Sequence, residues 1–375
     1  MKLRLDISAF LARHWQREPL LVRNAVAQFK PPISADELAG LALEDSVESR
    51  LVTQRGQRWQ VRHGPFTTTD LQLEQPFTLL VQAVDHYVPE VEQLLRAVDF
   101  IPAWRIDDIM VSYGTDGASV GPHYDHYDVF LLQGEGAKRW RIGQRCDAST
   151  PLLDNEEMRI LRDFQPTADY LLQTGDMLYV PPGVAHWGIA EGDSTTFSIG
   201  FRAPRRSDML ARWADQMLAG IGSDAFFGDA GRKPSAATGE ITREDRQQAR
   251  ATLRRVIEQL DDDRWFGELV TEPRYDCTPD ASELAQAQSL LRAGPTRMLR
   301  NPAAVLAWQH NDPTITAFAN GESLTLDASP LLQTALEQLC GEWYLEGTLL
   351  SSLCSDGDAR SLLDFLLATG SAHVE

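Results

Sequence analysis

No stretch of the 375 residues approaches the ~18 consecutive apolar positions that a membrane-spanning helix needs, so no membrane span is read. The opening segment, MKLRLDISAFLARHWQREPL, is broken by charges every few residues and has no apolar h-region. That argues against a secretory signal and for a cytoplasmic protein. Cysteine is scarce: Cys146, Cys277, Cys340 and Cys354 are scattered without a C-x-x-C pair, a pattern that fits neither a disulfide framework nor a zinc ribbon. Any metal must therefore be held by other side chains. Positive charge is also in short supply, with 35 Lys and Arg against 54 Asp and Glu, a net of −19. This balance opposes a nucleic-acid backbone as partner and suits a basic protein or peptide. Repeats and low-complexity tracts are absent. What is present, 43% hydrophobic and 24% charged residues, is the composition of a globular protein. The length suffices for two or three domains at about 100–200 residues each.

The texture of the chain changes twice. Up to about residue 205 short alternating runs are separated by Gly and Pro: SRLVTQRGQRWQVRH reads as two strands about Arg55-Gly56, and FTLLVQA, WRIDDIMVSYG, DVFLLQGEGAKRWRIG, DMLYVPPG and TTFSIGFRAP read as further strands. Many short strands of this kind predict a sandwich or barrel. Ser34-Ala35-Asp36-Glu37 is a capping box ahead of a helix in LAGLAL. After Pro204 the pattern turns helical. Ser207 is placed to cap a segment carrying Met209, Leu210, Trp213, Met217 and Leu218, and Thr242-x-x-Asp245 to open another carrying Leu253, Val256, Ile257 and Leu260. SDAFFGDAGRKPSAATGE between them reads as a loop. The polar linker TEPRYDCTPD starts a third region with a helix in SELAQAQSLLRAG, short strands, the hairpin TITAFANGESLTL about Asn320-Gly321, and helices near 330–340 and 360–369. This α+β module resembles a winged helix. Thr271 to Glu375 nevertheless holds 5 basic and 14 acidic residues, net −9, which weighs against DNA binding.

The residues with chemistry lie in the first region. Gly175 to His186, GDMLYVPPGVAH, reads G-x5-P-x-G-x2-H and resembles the second motif of the cupin barrel. Gly117-x5-His123-x-Asp125 resembles the opening of the first motif, with Asp in place of its second His. Residues two apart on a barrel strand face the same side, so His123 and Asp125 project together into the lumen. Two histidines and one carboxylate leave three metal positions open, as in the facial triad of non-haem iron(II) oxygenases. Zinc is the alternative for such a donor set. Lys138 favours iron, because a cation one strand beyond the H-x-D pair can hold the distal carboxylate of a 2-oxoglutarate co-substrate.

H-x-D, a Lys fifteen residues after the first His, and a distant His together resemble the JmjC family of 2-oxoglutarate oxygenases. LARHWQREPLLVRNA, PISADELAGLA, WQVRHGPF, LLVQAVDH, SVGPHYDHYDVF, YVPPGVAHWG, SIGFRAP and RWFGEL are similar, more narrowly, to the bacterial ribosomal oxygenases, from the N-terminus to about residue 270 and more weakly to the end. The resemblance implies an α+β chain: a double-stranded β-helix, the cupin or JmjC jelly roll, in 1–205 with its core at about 99–205, a helical dimerisation region in 206–270, and an acidic winged-helix-like domain in 271–375. It further implies a homodimer, and an Fe(II)-, 2-oxoglutarate- and O2-dependent dioxygenase that hydroxylates an arginine β-carbon in a basic large-subunit ribosomal protein, the one numbered sixteen. Carried over by position, His123, Asp125 and His186 are the metal ligands and the catalytic centre. Lys138 and Ser112 hold the co-substrate, Lys138 standing where some relatives have Arg. Asp107 and Asp108 are candidate partners for the substrate guanidinium.

The same chemistry on a histidine of another ribosomal protein, or demethylation of a methyl-lysine, is left open by the sequence. A non-catalytic metal-binding cupin regulator is the reading from another class; Lys138 speaks against it. Finally, the tripeptide His-Tyr-Asp occurs twice in succession, at 123–125 and 126–128. A shift of three along a regular strand reverses the facing, so His126 and Asp128 should point away from the metal and tolerate substitution far better than the first pair.

Overall fold

Short alternating strands, as the sequence predicts, build the first part of the chain. In the computed structural model helix α1 (Ile7–Arg13), capped by the Asp6 carboxylate, leads into β1 (Leu20–Val22). Helix α2 (Ala35–Leu41) starts at the expected capping box: Ser34 Oγ accepts from the Glu37 N–H, and the Glu37 carboxylate accepts from the Ser34 N–H at 2.9 Å. Strands β2 (Ser49–Arg55), β3 (Arg58–His63) and β4 (Phe77–Val81) follow, then the short helix α3 (Pro89–Glu92). The barrel strands are β5 (Ile106–Gly114), β6 (Val129–Gln133), β7 (Ala137–Arg145), β8 (Ala168–Gln173), β9 (Met177–Val180), β10 (Val184–Glu191) and β11 (Ser194–Phe201). DVFLLQGEGAKRWRIG, read from sequence as one strand, is two, because Gly136 at φ 66° turns the chain so tightly that a Cβ there would lie 2.0 Å from the Asp193 carbonyl oxygen.

The strands form two antiparallel sheets, one ordered β1-β9-β6-β11-β5-β4-β2-β3 and the other β10-β7-β8. Between them Val129, Leu131, Leu178 and Val180 of the larger sheet meet Trp140, Ile142, Leu172 and Val184 of the smaller in one buried cluster. This is the double-stranded β-helix, and it defines the lumen face: on β11 the even-numbered residues, since Ser198 pairs with Leu131, and on β7 the residues in phase with Trp140 and Ile142. The structure describes residues 3–56, 58–154, 158–221, 226–234, 237–258 and 262–375, and the chain divides into two compact units, Met1–Ala203 and Pro204–Glu375.

In the second unit α4 (Arg206–Gly220) packs on α6 (Arg264–Val270), and Arg212 pairs with Glu268 at 3.2 Å. Ser207 is not the cap of α4. The first turn closes on the Arg205 carbonyl directly after Pro204, and the Ser207 hydroxyl donates sideways to Asp208. Helix α5 (Arg243–Glu258) does begin at its predicted cap, with the Asp245 N–H donating to Thr242 Oγ1 and the Thr242 N–H to the Asp245 carboxylate. Leu260 lies outside the described residues. Beyond them α7 (Ala281–Ala293), β12 (Arg297–Arg300), β13 (Leu306–Asn311), β14 (Thr314–Ala319), β15 (Glu322–Asp327), α8 (Pro330–Gly341), β16 (Tyr344–Glu346), α9 (Gly347–Ser355), α10 (Gly357–Ala368) and β17 (Ala372–Val374) enclose a continuous leucine-rich core. The β14–β15 hairpin turns at Asn320-Gly321, both at positive φ as a type I′ turn demands. Helix α9 was not anticipated: its sequence, GTLLSSLCS, is rich in poor helix formers, and Leu350 and Leu353 make it helical by packing into that core.

Candidate metal centre

His123 and Asp125 sit in the loop between β5 and β6, which isolated bridges at Ser119–Ile189 and His123–His186 join to β10 in place of a regular strand. The second bridge falls on two of the candidate ligands themselves. The His123 N–H donates to the His186 carbonyl at 3.0 Å, the His186 N–H to the His123 carbonyl at 2.8 Å, and the Gly183 N–H to the Asp125 carbonyl at 2.8 Å. Two segments far apart in sequence are thus tied together at the point where their side chains converge. His123 Nδ1 lies 2.9 Å from the Gly121 carbonyl and His186 Nδ1 3.0 Å from the Val184 carbonyl. A carbonyl only accepts, so in the neutral rings both Nδ1 atoms carry the proton and both Nε2 lone pairs remain for a metal. His186 Nε2 is 3.6 Å from Asp125 Oδ2, and one ligand atom from each of the three side chains lies within 4.8 Å of the others. Burial, and then the neighbouring His123, push the His186 pKa down to about 4, which keeps the ring neutral and able to ligate at pH 7. The donor set therefore fits one divalent cation held on one face.

Lys138 occupies β7 on the lumen side, in phase with Trp140 and Ile142. It is only 8% exposed and, among the described residues, forms no ion pair; its Nζ lies 5.0 Å from the centroid of the Trp140 ring. Burial alone lowers its pKa to about 8. A cation kept in the lumen without an anion is a cation prepared for one. Ser112, also buried, faces the lumen on β5, opposite Thr196 of β11. Among the described residues the buried Thr196 Oγ1 and Trp140 Nε1 have no hydrogen-bond partner. Sequence reading missed both, because a lone Thr in a strand and a lumen Trp carry no motif. Asp107 pairs with Arg202 at 3.2 Å, and Asp108 accepts from Gln82 Nε2 at 2.8–2.9 Å, so both candidate guanidinium partners already hold other groups. Tyr127 has 43% of its surface exposed, and the neighbouring Asp125 carboxylate is the largest cause of its raised phenol pKa.

The second His-Tyr-Asp copy does point elsewhere. His126 meets Arg159 at the surface, Nε2 to Nη1 3.2 Å. Asp128, however, is no dispensable look-alike. It is fully buried, accepts from Tyr179 Oη at 2.5 Å and Gln16 Nε2 at 3.1 Å, and pairs with Arg105 at 3.4 Å. The expectation that it would tolerate substitution fails, because the loop is irregular and turns this carboxylate into the interior beneath α1.

Together these features define a class of protein: a double-stranded β-helix that presents two histidines and a carboxylate to one metal, with a buried lysine beside them. The JmjC domain family matches residues 93–209, and the ROXA-like winged helix matches residues 261–373. The chain belongs to the JmjC-domain ribosomal oxygenases. It is 34% identical over 371 residues to the ribosomal protein uL16 3-hydroxylase of Escherichia coli (strain K12), covering 92% of this chain and 99% of that protein. The probable ribosomal oxygenase of Haemophilus influenzae is 42% identical over 204 residues, 54% of this chain and 50% of its own. The solved structure of YcfD, a ribosomal oxygenase from Escherichia coli, in complex with cobalt and 2-oxoglutarate superposes with a TM-score of 0.83 at 32% identity, covering 100% of this chain and 99% of that one.

Proposed function

We propose that the chain is an Fe(II)- and 2-oxoglutarate-dependent protein hydroxylase that adds oxygen to the β-carbon of an arginine in the counterpart of ribosomal protein uL16. The observation that carries this reading is the lumen pairing of a three-residue metal site with a buried, ion-pair-free lysine. A regulator that only bound a metal would have no use for the second element. His123, Asp125 and His186 would hold the iron, Lys138 the distal carboxylate of the co-substrate, and Ser112 would help to hold the co-substrate. Bound iron supplies oxygen activation coupled to the conversion of 2-oxoglutarate to succinate and carbon dioxide. The protein's own part is to fix the ligand tautomers through Gly121 and Val184, to exclude water from the lumen, and to bring the target C–H to the open side of the site. The relative named a uL16 3-hydroxylase, matched along almost its full length, supports the arginine target. Matches to proteins named bifunctional lysine-specific demethylase and histidyl-hydroxylase NO66 extend over only 21% of the chain or less. The net charge of −19 suits a basic ribosomal protein as partner, and it disfavours DNA as a ligand of the winged helix.

The test is incubation of the purified protein, Fe(II) and 2-oxoglutarate with the uL16 counterpart, followed by intact-mass and fragment mass spectrometry. Addition of a single oxygen on an arginine is expected, and its absence alongside modification of a histidine or demethylation of a lysine would reassign the target. We also read the helical segment 206–270 as a dimerisation region. Leu210 and Leu218 stand exposed on α4, and Leu253 and Ile257 on α5, apolar side chains that a second copy would cover. Light scattering of the wild type and of the Leu210→Asp/Leu218→Asp variant tests this, with a dimer expected for the first and a monomer for the second.

A further inference from the structure

Strand β10 carries an unusual sequence of lumen positions. His186, Gly188 and Ala190 face the same side, and the bulk they offer falls abruptly after the first. Their partners on β7 are Ile142, Trp140 and Lys138 in turn. Gly188 thus lies midway along a lane that begins at a metal ligand and ends beside the buried lysine. A Cβ built at Gly188 would come within 2.8 Å of Trp140 Cη2, 2.9 Å of Trp140 Cζ3 and 2.9 Å of Lys138 Cε. The lysine stem, which starts opposite Ala190, therefore leans back over Gly188 toward the metal end of the lane. Its ammonium rests near the Trp140 ring because nothing stands on the strand between.

The backbone at Gly188 cannot easily step aside. Its carbonyl accepts from Ser119 Oγ at 2.7 Å, and the same hydroxyl oxygen accepts from Trp187 Nε1 at 2.9 Å and from the Gly121 N–H at 3.0 Å. Gly121 in turn orients His123 through its carbonyl. Any side chain at position 188 must be accommodated by moving Trp140 or Lys138. Among the described residues Trp140 Nε1 and Thr196 Oγ1, both buried at lumen-facing positions, have no hydrogen-bond partner, so the lumen has donors free to meet a polar ligand.

We infer that Gly188 is a positioning residue for the binding of the 2-oxo dicarboxylate, acting through Lys138. Its missing side chain is the slot in which Lys138 folds toward the metal, so that one short chain of atoms spans the distance between the metal site and the ammonium. This rests on the reading of Lys138 as the co-substrate cation.

The measurement is titration of 2-oxoglutarate into the full-length, Mn(II)-loaded wild type and Gly188→Ala, with Mn(II) affinity and melting temperature recorded in parallel. The added methyl group overpacks the lane, so Gly188→Ala should weaken 2-oxoglutarate binding by about 10- to 100-fold. Mn(II) affinity should stay within about 2-fold, since the ligand atoms and their carbonyl partners are untouched. Equal 2-oxoglutarate affinity in the two proteins, or parallel loss of metal and 2-oxoglutarate, would overturn the inference while leaving the co-substrate reading intact. A wild type that binds Mn(II) but not 2-oxoglutarate would overturn both. If Gly188→Ala does not fold, Trp140→Phe/Gly188→Ala removes the ring atoms the methyl group would strike. It should still bind 2-oxoglutarate more weakly than Trp140→Phe alone because of Lys138 Cε, and equality of those two would again overturn the inference.

Discussion

Lys138→Met separates the energetic cost of the buried lysine from its use. Burial lowers its pKa from 10.5 to about 8, which corresponds to about 3 kcal/mol against the charged form in the folded state. The sign follows from proton counting. Between pH 8 and 10.5 the unfolded chain holds this proton and the folded chain does not, so without co-substrate the stability contribution of this group rises with pH across that window. At pH 7 the penalty is present in full. Methionine has similar length and no charge, so Lys138→Met should stabilise the co-substrate-free protein by about 1–3 kcal/mol, a rise of several degrees in melting temperature. The same change deletes the group that would receive the distal carboxylate, so the further rise that 2-oxoglutarate gives the Mn(II)-loaded wild type should vanish. Thermal melts of both proteins at pH 7 and pH 9.5, with and without 2-oxoglutarate, read all of this. A variant that melts below the wild type without co-substrate would refute the burial argument, and one that keeps the 2-oxoglutarate shift would refute the assignment of Lys138.

Other substitutions probe the remaining parts. His123→Ala or Asp125→Ala should abolish tight Mn(II) binding and peptide hydroxylation, whereas His126→Ala, at the surface beside Arg159, should leave both near wild type in a metal titration and a succinate assay. Asp128→Ala strands Arg105 and the Tyr179 hydroxyl in the interior and should cost roughly 2–4 kcal/mol in a denaturant titration; a variant as stable as wild type would show that the buried network contributes nothing net. Ser34→Ala breaks the capping box of α2 and should cost about 1 kcal/mol in the same measurement without altering metal binding.

The sequence by itself determined the elements whose causes are local. The capping boxes at Ser34 and Thr242 and the Asn320-Gly321 turn depend on side chains within a few residues of one another, and they form as read. The convergence of His123, Asp125 and His186 was also legible, because H-x-D, the PPG turn and the distant His stand at spacings tied to the barrel they build. Tertiary structure decided whatever depends on residues far apart in the chain. Helix α9 exists because two leucines find a core, against the propensity of its serines. Asp128 is structural because an irregular loop turns it beneath α1 to meet Tyr179 and Gln16. Gly188 matters only because β7 lays Trp140 and Lys138 across it, and a glycine in a strand says nothing of what lies above it. Local rules fix the backbone menu and the order of donors; which side chains share a lumen, and which are left there without partners, is set by the pairing of strands that the chain brings together from a distance.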